Sequence, residues 1–197
     1  WNKTASSLTY TTYADMNSTT LDGTIEAVGS VSVACLSCHD GSQAMDVMSN
    51  ESGSGADTIS AFTWEGDRQA AGKMTGFAAI GSVANGGLQN DHPIGIQYGG
   101  GGITATLPTA ATADADFTVA ATATPNGSPV WWVDTAVGTS DTREKTDMVL
   151  YTRTSAVGSV VQPYVECATC HDPHTSNTTF LRIPNTNSEV CLACHTK

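Results

Sequence analysis

The stretch Glu166-Cys167-Ala168-Thr169-Cys170-His171-Asp172-Pro173-His174 decides how this chain is built. Close behind it comes Cys191-Leu192-Ala193-Cys194-His195, and far ahead of it Val33-Ala34-Cys35-Leu36-Ser37-Cys38-His39-Asp40-Gly41. All 6 cysteines fall into these three C-x-x-C pairs, and each pair is followed directly by histidine. With 5 His in 197 residues, chance puts a histidine after all three pairs on the order of once in sixty thousand, whereas a covalent haem-attachment motif requires it there. Two thiols one short helical turn apart add to the two vinyl groups of one haem, and the next residue brings imidazole to the iron. Three motifs therefore imply three haem c groups. Cys35/Cys38, Cys167/Cys170 and Cys191/Cys194 are the anchors, with His39, His171 and His195 as proximal iron ligands.

Other uses of paired cysteines fit less well. A disulfide framework does not need two-residue gaps repeated three times. Twenty residues separate Cys170 from Cys191, which also matches a zinc ribbon of four thiolates, but that leaves the first pair and all three histidines without a role. Thioredoxin-like redox pairs occur beside a βαβ pattern, and none is present.

Composition agrees. Leu, Ile, Val and Phe together make 34 of 197 residues, about 17%, below the roughly 20% at which a chain struggles to bury a core of its own. Apolar macrocycles are expected to supply what the side chains do not. The net charge of −11, with only 8 Lys and Arg, leaves no basic cluster to neutralise a phosphate backbone, so nucleic-acid binding is excluded. No apolar run of about 18 residues offers a membrane span. The start at Trp1, without a basic segment and apolar run, reads as a mature exported chain.

Histidine is in short supply. After the three proximal ligands only His92 and His174 remain, and both are assigned as distal iron ligands. Three haems with two imidazoles each would need a sixth histidine, and oligomerisation does not change the ratio. At least one haem per chain has another sixth ligand or an open site. Met16, Met45, Met48, Met74, Met148 and the Trp1 amine are the candidates. A thioether there would raise the reduction potential relative to a second imidazole. Pro93 stiffens the chain beside His92, and Pro173 ends the turn between His171 and His174, aiming the second ring away from the first haem.

The three motifs, together with Asn90-Asp91-His92-Pro93-Ile94-Gly95 and Phe180-Leu181-Arg182, resemble the doubled-CxxCH family of multihaem c-type cytochromes. The likeness covers residues 33–50, 88–98 and 160–197. It implies electron transfer, in the periplasm or outside the cell of a bacterium or archaeon, sometimes in anaerobic respiration. Some similar extracellular cytochromes polymerise into filaments whose haems form one continuous chain. That makes other copies of this chain the expected partners, beside redox proteins or extracellular acceptors.

The chain is expected to be a single triheme domain, residues 1–197, with the first haem motif at 33–50, a low-charge β/coil insert at 51–165 and the paired motifs at 166–197. The fold class expected is haem-organised and mostly coil, with a modest β portion, a few short helices and no large conventional core. Residues 42–49 read as a short helix ended by Gly53 to Gly55. Gly99 to Gly102 reads as a loop where backbone passes close to a flat group. Pro125-Asn126-Gly127 is a turn, Val130-Trp131-Trp132-Val133 a strand, and Val149 to Thr152 with Val160 to Gln162 a hairpin around Gly158. Trp64, Trp131 and Trp132 read as core, as partners for haem edges or as a subunit contact. Asn2, Asn17, Asn50, Asn126 and Asn177 begin N-x-Ser/Thr sequons.

No phosphate loop, zinc-protease or nucleophile-elbow motif is present. An enzyme at an open haem would need Arg, Lys or His around its substrate, and 8 basic residues with no spare histidine argue for an electron carrier instead. A long insert rich in Gly, Ala and Thr fits contact between subunits better than a small diffusing carrier, although the haem propionates would add to the negative charge.

Overall fold

The fold is described from a computed structural model over residues 3, 5–45, 49, 72–82, 84, 86–104, 106, 114–156 and 158–196. Chain contacts divide it into two compact units: Trp1–Asn17 with Val28–Pro93, and Ser18–Ala27 with Ile94–Lys197. The 51–165 segment is thus shared between them.

The first unit is mostly coil around one helix, α1 (Ser30–His39). Its sequence SVSVACLSCH is a poor helix former, rich in serine and β-branched valine, and Gly29 at its start makes no side-chain cap. Packing holds it instead. Leu36 is fully buried against a close approach by Gly81, where an added Cβ would lie 2.8 Å from Leu36 Cδ2 and 3.2 Å from Tyr10 Cε1. Asp40, also buried, closes the helix by accepting from Ser42 N (2.8 Å), Gln43 N (3.4 Å), Ser6 Oγ (2.9 Å) and Tyr10 Oη (3.3 Å). Burial alone would raise the Asp40 carboxyl, but these bonds, led by Ser42, hold it below its ordinary value.

That closure overturns the expectation of a helix at 42–49. Gly41 turns left-handed, and Ala44 instead forms a β-bridge with Lys73, because Asp40 has taken the amides a continuing helix would use. Residues 46–48, and Gly53 to Gly55, lie outside the described residues.

The second unit is an open antiparallel sheet in the order β1-β5-β4-β3-β2. Its strands are β1 (Ile96–Gln97), β2 (Ala121–Ala123), β3 (Val130–Val133), β4 (Met148–Thr154) and β5 (Val161–Val165). The expected hairpin is present, with Thr154 opposite Val161 and Arg153 opposite Gln162, and the Pro125-Asn126-Gly127 turn joins β2 to β3. Pro163 faces Thr152 one residue beyond the reach of short β1, which pairs only with Tyr164 and Val165. The missing N–H therefore breaks no ladder.

One sheet face presents Trp131, Val133, Met148, Leu150 and Val165 to Tyr98, Ile183 and Val190, with Cys170, Ala193 and Cys194 packed on its margin. Aromatic and β-branched side chains make this small core, in line with the fold expected from composition. The four glycines 99–102 all have positive φ, as a loop of this kind requires, and the close neighbours of Gly101 are the Gln97 and Gln162 side chains.

The rest of the unit is tied by polar contacts. Ser155 Oγ and Ala156 N donate to Glu26 Oε1 at 2.8 and 2.7 Å. Arg153 donates to buried Glu166 at 2.9 Å and to the Ala27 carbonyl at 2.7 Å, and lies over the Tyr164 ring at 4.8 Å.

Two outcomes are expected from this packing. Trp131 is fully buried and its indole N–H has no acceptor among the described residues, and Trp131→Ala should cost about 3–5 kcal/mol. Trp131→Phe should cost clearly less, because it deletes an orphan donor worth about 1–3 kcal/mol; urea unfolding followed by circular dichroism ranks the two. For Glu26, burial pushes the carboxyl up but bonds from Ser155, Ala156 and Tyr164 and the Arg153 charge bring it below 4.5. A depressed folded pKa gives stability that is present above 4.5 and lost as pH falls through the folded value. Glu26→Gln should flatten that acid limb in a series of melts.

Candidate functional site

Each C-x-x-C pair lies on helix, as attachment to one macrocycle requires. Cys35 and Cys38 sit in the last two turns of α1, Cys167 and Cys170 span α2 (Cys167–Cys170), and Cys191 and Cys194 lie in α3 (Glu189–Cys194). None of the six cysteines forms a disulfide among the described residues. His39 ends α1, while His171 and His195 follow α2 and α3 as extended residues, each in a single β-bridge.

What orients the imidazoles lies outside the motifs. His39 Nδ1 is 2.8 Å from the Ala78 carbonyl, and His171 Nδ1 is 2.8 Å from the Thr179 carbonyl. A carbonyl can only accept, so Nδ1 carries the proton and Nε2 keeps the lone pair that binds iron. Both carbonyls belong to short 3-10 turns, Gly76–Ala78 and Thr178–Phe180. In the second, Thr179 and Phe180 are both left-handed at φ 54° and 58°, a conformation that is costly for such residues. It is held by Asn177 Nδ2 donating to Leu181 O at 2.8 Å and by Asp172 N donating to Phe180 O at 2.8 Å. His195 packs on the Phe117 ring, centroids 4.5 Å apart, while Thr118 N and Thr196 N bind Cys194 O and Asp116 O, each at 2.8 Å.

The two C-terminal motifs are neighbours. Cys170 and Cys194 pack on the same apolar core; burial first, and then Cys191 beside Cys170 and Cys170 beside Cys194, pushes their thiols up to about 11 and about 12. Among the described residues no three His, Cys, Asp or Glu side chains converge as a metal cage. A thioether has no charge to desolvate and suits this apolar margin. Arg182 joins α2 to the chain behind it, donating to the Ala168 carbonyl at 2.9 Å, to Thr169 O at 3.1 Å and to Lys145 O at 2.9 Å.

Both remaining histidines are exposed. His92 Nδ1 lies 2.9 Å from its neighbour's carbonyl, Pro93 O. His174 Nδ1 lies 3.1 Å from Asp172 Oδ1. The His174 amide first, and then its ring, Lys145 and Arg182, hold the Asp172 carboxyl below its ordinary value against burial. Each pairing leaves Nε2 as the donor atom for a metal. Of the methionines, Met148 is fully buried in the sheet core and Met16 is exposed, Met45 and Met74 are half-buried, and Met48 lies outside the described residues, as do Trp1 and Trp64.

Ala78, Thr179, Asp172 and Phe117 were not singled out from sequence. A backbone carbonyl carries no residue signature, and Asp172 alone had one, as the neighbour of both His171 and His174.

The family model described as "Doubled CXXCH motif" matches residues 161–197. No curated protein and no solved structure matches the chain. The match defines the C-terminal segment as one that binds haem c covalently and points to electron transfer, as in c-type cytochrome-like multihaem proteins. No helix among the described residues is long and apolar enough to cross a membrane.

Because Gly81 has no Cβ, the 78–82 segment reaches α1 closely enough for Ala78 to hold His39. Gly81→Ala should cost about 1–3 kcal/mol by overpacking, read as a lowered midpoint in urea unfolding.

Proposed function

We propose that this chain is an electron carrier holding three c-type haems, one at each C-x-x-C-H motif, and that copies of it assemble outside the cell into a filament that conducts along its length. The observation that carries the haem count is the geometry of the first motif. It repeats the arrangement of the motif at 167–171, two thiols on helix followed by a histidine whose Nδ1 is pinned by a carbonyl of a 3-10 turn, although the family model does not reach it.

When bound, haem c supplies reversible one-electron chemistry at iron. The chain's own part is to hold it: six cysteines form thioethers, His39, His171 and His195 bind iron from one side, and His92 and His174 bind from the other. Lys145, Arg153 and Arg182 are engaged with backbone carbonyls and carboxylates of their own chain, which supports a carrier over an oxyanion-reducing enzyme.

One feature of the second unit supports assembly: Val119, Val137, Phe180 and Leu192 are each more than half exposed. The charge of −11, with three cations already engaged, favours a second reading, a soluble periplasmic carrier whose copies repel.

Intact mass of the native red protein should show three covalent haems per chain; two would confine the cofactors to the C-terminal motifs. Negative-stain electron microscopy of the same sample should show thin regular filaments, and dispersed particles alone would establish the soluble carrier.

A further inference from the structure

Within the first unit, a cleft of about 340 Å³ is lined by Gly76, Phe77 and Ile80 on one side and by Asn90 and Asp91 on the other. Its first wall is the segment that fixes His39, through Ala78 O to Nδ1 at 2.8 Å and Gly81 N to His39 O at 3.1 Å. Its second wall runs directly into His92. The two segments are tied by Gly87 N to Ser82 O (2.9 Å), and the second is also anchored by Leu88 N to Thr11 O (2.9 Å). Phe77 is 99% exposed, so the cleft presents an apolar wall whose covering would be favourable by about 25 cal/mol per Å². The group that cysteines on α1 are spaced to tether is flat and apolar, and it needs a nitrogen ligand on each side of its iron.

Resting on the three-haem reading above, we propose that the cleft takes the haem tethered at Cys35 and Cys38, and that His92 is its sixth ligand, opposite His39. The first unit is then complete in histidine. Two haems and three histidines, His171, His174 and His195, remain in the second, so the haem lacking a second imidazole is one of the C-terminal pair. Asn90 and Asp91 are wall residues, and Pro93 is a positioning residue whose carbonyl keeps the proton on His92 Nδ1, which puts the lone pair on Nε2.

Carbon monoxide binding to the reduced full-length protein tests this, because it reads open iron sites directly. His92→Ala should add one CO-binding haem per chain to the parent's count, and that gain should vanish when Cys35 and Cys38 are both alanine. No gain, or a gain that survives without Cys35 and Cys38, overturns the assignment. If the double cysteine variant does not fold, Cys35→Ala serves instead: it leaves one vinyl group and shifts that haem's absorption band, and the CO gained in Cys35→Ala/His92→Ala should belong to the shifted haem. Gain at an unshifted haem overturns the proposal. Intact mass separates the two levels: a parent with no haem at the first motif removes the three-haem reading as well, whereas three haems with no CO gain removes the His92 assignment alone.

Discussion

A haem joined to two thiols and a histidine on one stretch of helix is fixed in place but not in the rotation of its ligand. The imidazole needs a second contact from beyond the motif to set its tautomer and plane. In this chain that contact is a backbone carbonyl held rigidly by a 3-10 turn, Ala78 for His39 and Thr179 for His171. Much nearby structure serves to present those carbonyls: Gly81 allows the approach to α1, and Asn177 and Asp172 brace the strained turn at Thr179 and Phe180. Strain of about 1–3 kcal/mol at such residues persists only where the surroundings over-determine it.

The second unit shows how a chain poor in aliphatic residues still builds a scaffold. β3 and β4 place Trp131, Val133, Met148 and Leu150 on one face, and the margin of that face carries Cys170 and Cys194. The attachment points thus stand on sheet rather than on loop, and Arg182 locks the carbonyls at the end of α2. Rigid support of this kind keeps ligand geometry constant between oxidation states, which limits reorganisation when an electron arrives.

Legibility in sequence divided along physical lines. The attachment motifs, the β3 strand, the β4–β5 hairpin and the turn at Asn126 were readable because each rests on local chemistry: spacing on one turn, alternation, or a glycine beside asparagine. Residues 42–45 do not begin the helix expected at 42–49, since its apolar pattern says nothing of Asp40 taking the amides of Ser42 and Gln43. The carbonyl of Ala78 is 39 residues from the ring it holds, and no residue type marks a carbonyl. Phe117 beside His195 is a similar case: pairing across 78 positions is set by tertiary packing, not by pattern.

Histidine supply turns this architecture into an argument about function. On the proposed count of three haems, five imidazoles cannot serve three irons twice, so the haems of one chain would not be equivalent, and axial ligation is among the levers that move haem potential over about 0.8 V. With His174 as the proposed ligand a second lever would act, since the His174 amide, Lys145 and Arg182 hold the Asp172 carboxyl below its ordinary value beside Nδ1, and a carboxylate there would make the imidazole a stronger donor to iron. A carrier with such a ligand at one site and no second histidine at another would hold its haems at unequal potentials. Within one copy that sets where an electron rests; along a filament of identical copies the same steps recur in every repeat and cancel, so net flow would be set by the donor and acceptor at its ends.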